Sequence, residues 1–108
     1  MTDCLFCKIQ KQEYKDEIIT ENKYFYATRD TYPVTKLHTL IISKRHFSSY
    51  FDMSIDEQIS AFQILKHQQN QILSLDPKVT GFNIGSNDGA EAGQSIFHLH
   101  IHLIPRRV

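Results

Sequence analysis

The sequence predicts an α+β chain, and three observations carry that prediction. The first is a C-terminal stretch, His98-Leu99-His100-Ile101-His102-Leu103-Ile104-Pro105, in which three histidines alternate with aliphatic residues. The second is a set of short runs rich in β-branched and aromatic residues, over 17–28, 37–43 and 79–84. The third is one long segment, Ser54 to Leu75, with helical spacing of its apolar residues. At 108 residues the chain has the size of one domain, spanning 1–108. Hydrophobic content of 41% and charge of 22% are ordinary globular values and speak against disorder. Lys+Arg and Asp+Glu balance at 12 each, so there is no electrostatic footprint of a nucleic-acid or membrane-surface binder. No apolar run approaches the roughly 20 residues that span a bilayer. Met1-Thr2-Asp3-Cys4 has neither a basic nor an apolar leader character, so a cytoplasmic protein with reduced cysteines is expected.

Cys4-Leu5-Phe6-Cys7 is the first chemical feature. Such a pair can be half of a zinc site, a redox dithiol or two unremarkable thiols. The redox reading needs a preceding strand, and only three residues precede Cys4. A structural zinc needs two more ligands, and histidines are the candidates. Two runs follow, Glu17–Glu21 and Lys23–Thr28, with Glu21-Asn22-Lys23 between them, and together they predict a β-hairpin beginning near Asp16. Asp30 lies just beyond, before Thr31-Tyr32-Pro33; taken alone it is a turn residue bonding its own backbone. Leu37-His38-Thr39-Leu40-Ile41-Ile42-Ser43 predicts a central strand buried on both faces, with His38 near its start and His46 after its end.

Ser54-Ile55-Asp56-Glu57 fits a capping box, and Ile55, Ile59, Phe62, Leu65, Gln69 and Ile72 give the apolar face of the helix. Asp76-Pro77 stops it. His67 and the run Gln68–Gln71 are assigned mostly to its wet side. Val79–Ile84 predicts a strand leading into a loop, 85–95, that holds three of the chain's four glycines. Glycines allow close backbone approach to an anion, although the lysine of a Walker loop is missing. This loop feeds the histidine strand. With a period of two, His98, His100 and His102 share one face, at spacings of roughly 6.5–7 Å. Two chemistries suit such a face: imidazoles sharing one catalytic metal, or one imidazole acting as nucleophile at phosphorus while its neighbours bind oxygen.

His98-Leu-His100-Ile-His102-Leu-Ile resembles the signature of the histidine-triad (HIT) family of nucleotide hydrolases and transferases. Leu37–His46, the loop Asn87–Ser95, Asp30 with Pro33, and Cys4-Leu-Phe-Cys7 resemble further parts of the zinc-bearing bacterial, Hint-like members. The resemblance implies an antiparallel sheet of about five strands, one long helix, a short N-terminal helix and a homodimer. It implies hydrolysis at the α-phosphate of adenosine nucleotide derivatives through a nucleotidyl-histidine, most simply as a nucleoside phosphoramidase. A dinucleoside polyphosphate hydrolase, or a nucleotide-binding or signalling module with incidental activity, is the alternative. His100 would be the nucleophile, His102 a phosphate ligand, and His38 a support from the neighbouring strand. Ser95 would contact phosphate or assist the leaving group. Gly93, Gln94 and Asn87 would lie at the phosphate, and Asp30 at the ribose. Cys4, Cys7, His46 and His98 would hold a structural zinc. Two departures stand out: Ser43 replaces the proline usual before the lysine, and the sequence stops at Val108, before the tail with which longer members contact substrate.

Overall fold

The computed structural model describes residues 4–10 and 17–108. The leader reading on Met1–Asp3 and the hairpin's start at Asp16 lie outside the described residues. A short helix α1 (Leu5–Gln10) precedes strands β1 (Ile18–Glu21), β2 (Phe25–Arg29) and β3 (Thr39–Ser43). The long helix α2 (Ile55–Leu75) follows, then β4 (Val79–Gly85) and β5 (His100–Arg107). The strands form one antiparallel sheet in the order β1-β2-β3-β5-β4. The α+β class, the five strands, the long helix and the short N-terminal helix are as expected.

Asn22 closes the hairpin: its Oδ1 accepts from the N–H groups of Tyr24 and Phe25 at 3.1 and 2.9 Å. The capping box at Ser54 and Glu57 forms with both bonds present. β3 is buried on both faces. On one face Phe25, Ala27, Ile41, Leu99 and Ile101 meet Ala61 and Ile64 of α2. On the other, Tyr26, Leu40 and Ile42 meet Phe6 and Ile9 of α1. Since α1 covers only part of that second face, the rest is open beside the histidines.

The helix is turned relative to the apolar spacing. Its buried residues are Glu57, Ser60, Ala61, Ile64, Gln68 and Ile72, while Ile55, Ile59 and Phe62 stand exposed. Charged partners on the sheet side explain this. Arg45 donates to both carboxylate oxygens of Glu57 at 3.1 and 2.8 Å, and Arg29 donates to Gln68 Oε1 at 2.7 Å. Gln68 is therefore core, not wet surface, whereas His67 is exposed. The strand carrying the triad also begins later than expected, at His100. His98 precedes it in a segment tied to both sides, by Leu99 N–H to Phe47 C=O at 2.6 Å and Ser43 N–H to Leu99 C=O at 3.2 Å. A proline at position 43 could not make the second bond.

Candidate active site

Hydrogen bonds at the far nitrogens decide what each triad imidazole presents. His100 Nδ1 lies 2.8 Å from the C=O of His98. A carbonyl only accepts, so Nδ1 carries the proton and Nε2 is a bare lone pair. The chain reaching His102 runs the other way. Val34 N–H donates to His38 Nδ1 at 3.1 Å, so the His38 proton sits on Nε2. That nitrogen is 2.9 Å from His102 Nδ1, which accepts and leaves the His102 proton on Nε2. The two neighbouring rings, with centroids 5.2 Å apart, are thus fixed in opposite tautomers: one offers a lone pair, the other an N–H. Burial holds the pKa of both His38 and His102 below the ordinary histidine value, and the charges of Asp30 only partly oppose this. Both imidazoles are therefore neutral at pH 7, as this relay requires.

These groups border a cleft of about 340 Å³. Leu5, Phe6 and Ile9 of α1, with Leu40 and Ile96, give it an apolar wall. Asp30, Asn87, Gly93, Ser95, His100 and His102 give it a polar one. Asp30 keeps its turn bond, Oδ1 accepting from Tyr32 N–H at 2.9 Å, while Oδ2 lies 3.5 Å from His38 Nε2. The loop after β4 is braced from inside. Gln94 is buried; its Oε1 accepts from Gly89 N–H at 2.8 Å and its Nε2 donates to Ser48 C=O at 3.1 Å. The N–H groups of Gly93 and Gln94 also bond within the loop, to Ala90 and Gly89 C=O. Asn87, Gly93 and Ser95 are thus brought to the cleft, and Gln94 is the brace behind them. Gly93 has φ of 93°, a left-handed conformation that favours glycine.

Cys4, Cys7, His46 and His98 converge separately, at the other end of the histidine face. Sγ of Cys4 and of Cys7 lie 3.4 and 3.6 Å from His98 Nδ1. Cys7 Sγ is 3.3 Å from His46 Nδ1, and the two Nδ1 atoms are 3.0 Å apart. A tetrahedral ion with sulfur at about 2.3 Å and nitrogen at about 2.0 Å sets ligand-to-ligand edges of roughly 3.3–3.8 Å; the three sulfur–nitrogen edges fall in that range and the nitrogen–nitrogen edge needs to open by about 0.3 Å, so the donor set suits one. His98 Nε2 donates to Ser43 C=O at 2.7 Å, leaving Nδ1 bare toward the sulfurs. His46 is held between two anchored neighbours, Arg45 on Glu57 and Phe47 on Leu99. Among the described residues no ligand cluster joins His98, His100 and His102, so the shared-metal reading of the triad has no site.

The HIT domain family's sequence profile matches residues 11–108. The chain belongs to the HIT domain family. An adenosine 5'-monophosphoramidase of Saccharomyces cerevisiae is 36% identical over 104 residues, 96% of this chain and 63% of that protein. An adenylylsulfatase of Arabidopsis thaliana is 36% identical over 108 residues, 97% of this chain and 53% of that protein. A crystal structure of a zinc-bound histidine triad protein from Mycobacterium smegmatis superposes with a TM-score of 0.87 at 30% identity, covering 98% of this chain and 76% of that one.

Several contributors to this HIT domain's site are not legible as chemistry in the sequence. Ser43 acts through its carbonyl, which any residue has. Val34 acts through its N–H, and Leu37, at φ of 72°, turns the loop that presents it. Phe6 packs edge-on to the rings of His98 and His100, at centroid distances of 5.7 and 5.0 Å, and only its place between the two cysteines hints at this. No helix among the described residues is long and apolar enough to cross a membrane.

Proposed function

We propose that this HIT domain, taken as one unit over 1–108, hydrolyses adenosine nucleotide derivatives at the α-phosphate, as a nucleoside phosphoramidase. The observation that carries the reading is the pair of opposed tautomers at His100 and His102. The His100 Nε2 lone pair attacks phosphorus, the P–N bond to the leaving amine breaks, and the amine nitrogen takes a proton from the Ser95 hydroxyl, which regains one from the water that later attacks. The His102 Nε2–H bonds a phosphate oxygen, and Ser95 assists departure of the amine. Water then attacks phosphorus, the P–Nε2 bond breaks, and the nucleoside monophosphate is released. Asp30 accepts from the ribose hydroxyls, the base lies against Leu5, Phe6 and Ile9, and Asn87 and Gly93 border the phosphate. Most of the rate comes from position and from electrostatic preorganisation. The yeast monophosphoramidase supports the reading. The Arabidopsis adenylylsulfatase supports a second reading, in which the group leaving the α-phosphate is not an amine.

Zinc is the metal that Cys4, Cys7, His46 and His98 would hold, as a closed structural site with no position left open for substrate. A homodimer is supported by Phe62 on α2 and Ile84 on β4, 67% and 62% exposed, which line one groove next to β4, an edge of the sheet. The test is a panel of adenosine phosphoramidate, diadenosine polyphosphates and their guanosine counterparts, with intact mass spectrometry of quenched reactions. A nucleotidyl adduct in the wild type, absent from His100→Ala, is the expected result. AMP binding without turnover of any substrate would instead favour a binding module. Sedimentation analysis of the wild type and Phe62→Glu tests the dimer, which the charge should dissociate.

A further inference from the structure

The histidine face continues past His102. Side chains alternate along β5, so Ile104 and Arg106 follow His102 on the same face. On β4, Asn83 pairs with Ile104 and Gly85 with His102. A second cleft lies here, lined by Val34, His38, Asn83, Ser86 and Ile104, and it shares only His102 and Asn87 with the first. The first cleft holds the apolar wall and Asp30, which suit a nucleoside. With the phosphorus at the histidines, the remaining substituent points to the second cleft.

Among the described residues neither a carboxylate nor a permanent cation lines this second cleft. The nearest charge the hydrogen bonds tie to it is Arg106, which borders the cleft through the lining residue Asn83. Arg106 Nε donates to Asn83 Oδ1 at 2.7 Å, which occupies the amide oxygen and leaves the Asn83 NH₂ free to donate. Arg106 is exposed and makes no ion pair among the described residues.

We propose that the second cleft receives the leaving group, and that Arg106, with the Asn83 amide it orients, selects leaving groups bearing a negative charge. This rests on the nucleotide-hydrolase reading. Arg106 is four residues beyond His102, about 13 Å along the strand, so the charge it meets is several bonds from the phosphorus. A carboxylate or a phosphate on the leaving amine meets that requirement. The anion itself is unchanged in the reaction: the P–N bond breaks and the amine takes the proton. Because Arg106 would hold the tail before and during the reaction, its effect belongs mainly in KM.

The test compares AMP joined through nitrogen to 4-aminobutyrate, to 3-aminopropyl phosphate, to neutral 4-aminobutyramide, and to no tail. Wild type should favour the anionic tails over the amide by about three- to fivefold in kcat/KM, the size of an exposed charge pair. The preference should shrink as salt rises toward 0.5 M, where screening is strong. Arg106→Gln should abolish it, Arg106→Lys should retain part of it, and neither should alter hydrolysis of the tail-less phosphoramidate. A larger gain for the phosphate tail would identify a phosphate chain as the source, and a larger gain for the carboxylate a carboxylate-bearing amine. An unchanged preference in Arg106→Gln, or none in wild type, would overturn the inference. Release of AMP from none of the four would overturn the hydrolase reading itself and this inference with it.

Discussion

Two clusters on one sheet face use the same side chain for different ends. Cys4, Cys7, His46 and His98 bring two sulfurs and two Nδ1 atoms to one point, and His98 spends its only proton on Ser43 C=O. Asp30, His38 and His102 also converge within ligand distance of one another. Here, though, the facing nitrogens already share a proton, because Val34 N–H holds the His38 tautomer. The first cluster is a set of lone pairs whose donor types and spacing suit a cation. The second is a finished hydrogen-bonded chain that ends in a donor. The lesson is that an imidazole's role is read from its other nitrogen.

The comparison can be broken at three places. The largest effect belongs to the ring between the clusters: His100→Ala should reduce turnover by on the order of 10³–10⁶-fold, as loss of a nucleophile does, with metal content unchanged. Paired kinetics and metal analysis check this; loss of metal along with activity would merge the two clusters after all. Next is Cys7→Ser, which opens the lone-pair set. Metal at 1,000 times its Kd should add about 4 kcal/mol of stability to wild type, and Cys7→Ser should lose most of that gain in denaturant melts with and without zinc. A third, smaller effect is expected from His38→Phe, which keeps a ring but breaks the proton chain. Turnover should fall about 10–100-fold, as for lost orienting partners, while zinc content stays at the wild-type level.

The smallest effect sharpens the comparison through pH. Burial depresses the folded-state pKa of His38 and His102. Above the unfolded value of about 6.5, neither state binds the proton and neither group affects stability. Below it the unfolded chain takes up protons that the folded chain refuses, so stability falls with pH until the depressed folded values are reached. Chemical denaturation of His38→Phe should show a shallower loss than wild type between about pH 6.5 and 5.

Much of this was legible in the sequence because it depended on period and residue type. The alternation of β5, the capping box at Ser54 and Glu57, the Asn22 turn and the double burial of Leu40–Ile42 follow from local chemistry. The convergence of Cys4, Cys7, His46 and His98 was reached through resemblance, since nothing in spacing alone joins residues 94 positions apart. What stayed hidden depended on partners. Gln68 and Glu57 look like surface residues until Arg29 and Arg45 claim them, and that pairing turns Ile55, Ile59 and Phe62 outward. The differing roles of His100 and His102 rest on a carbonyl and an amide N–H, groups that every position carries.

One short segment has a wider consequence. Leu5 and Phe6 lie between the two cysteines of the Cys/His cluster, and both line the first cleft; the carbonyl that orients His100 belongs to another member of that cluster, His98. With a metal at that cluster, filling it and completing the cleft become one event. A metal held there would tie the helix that walls the cleft to the segment that orients His100, so the stiffness of the cleft would follow metal supply.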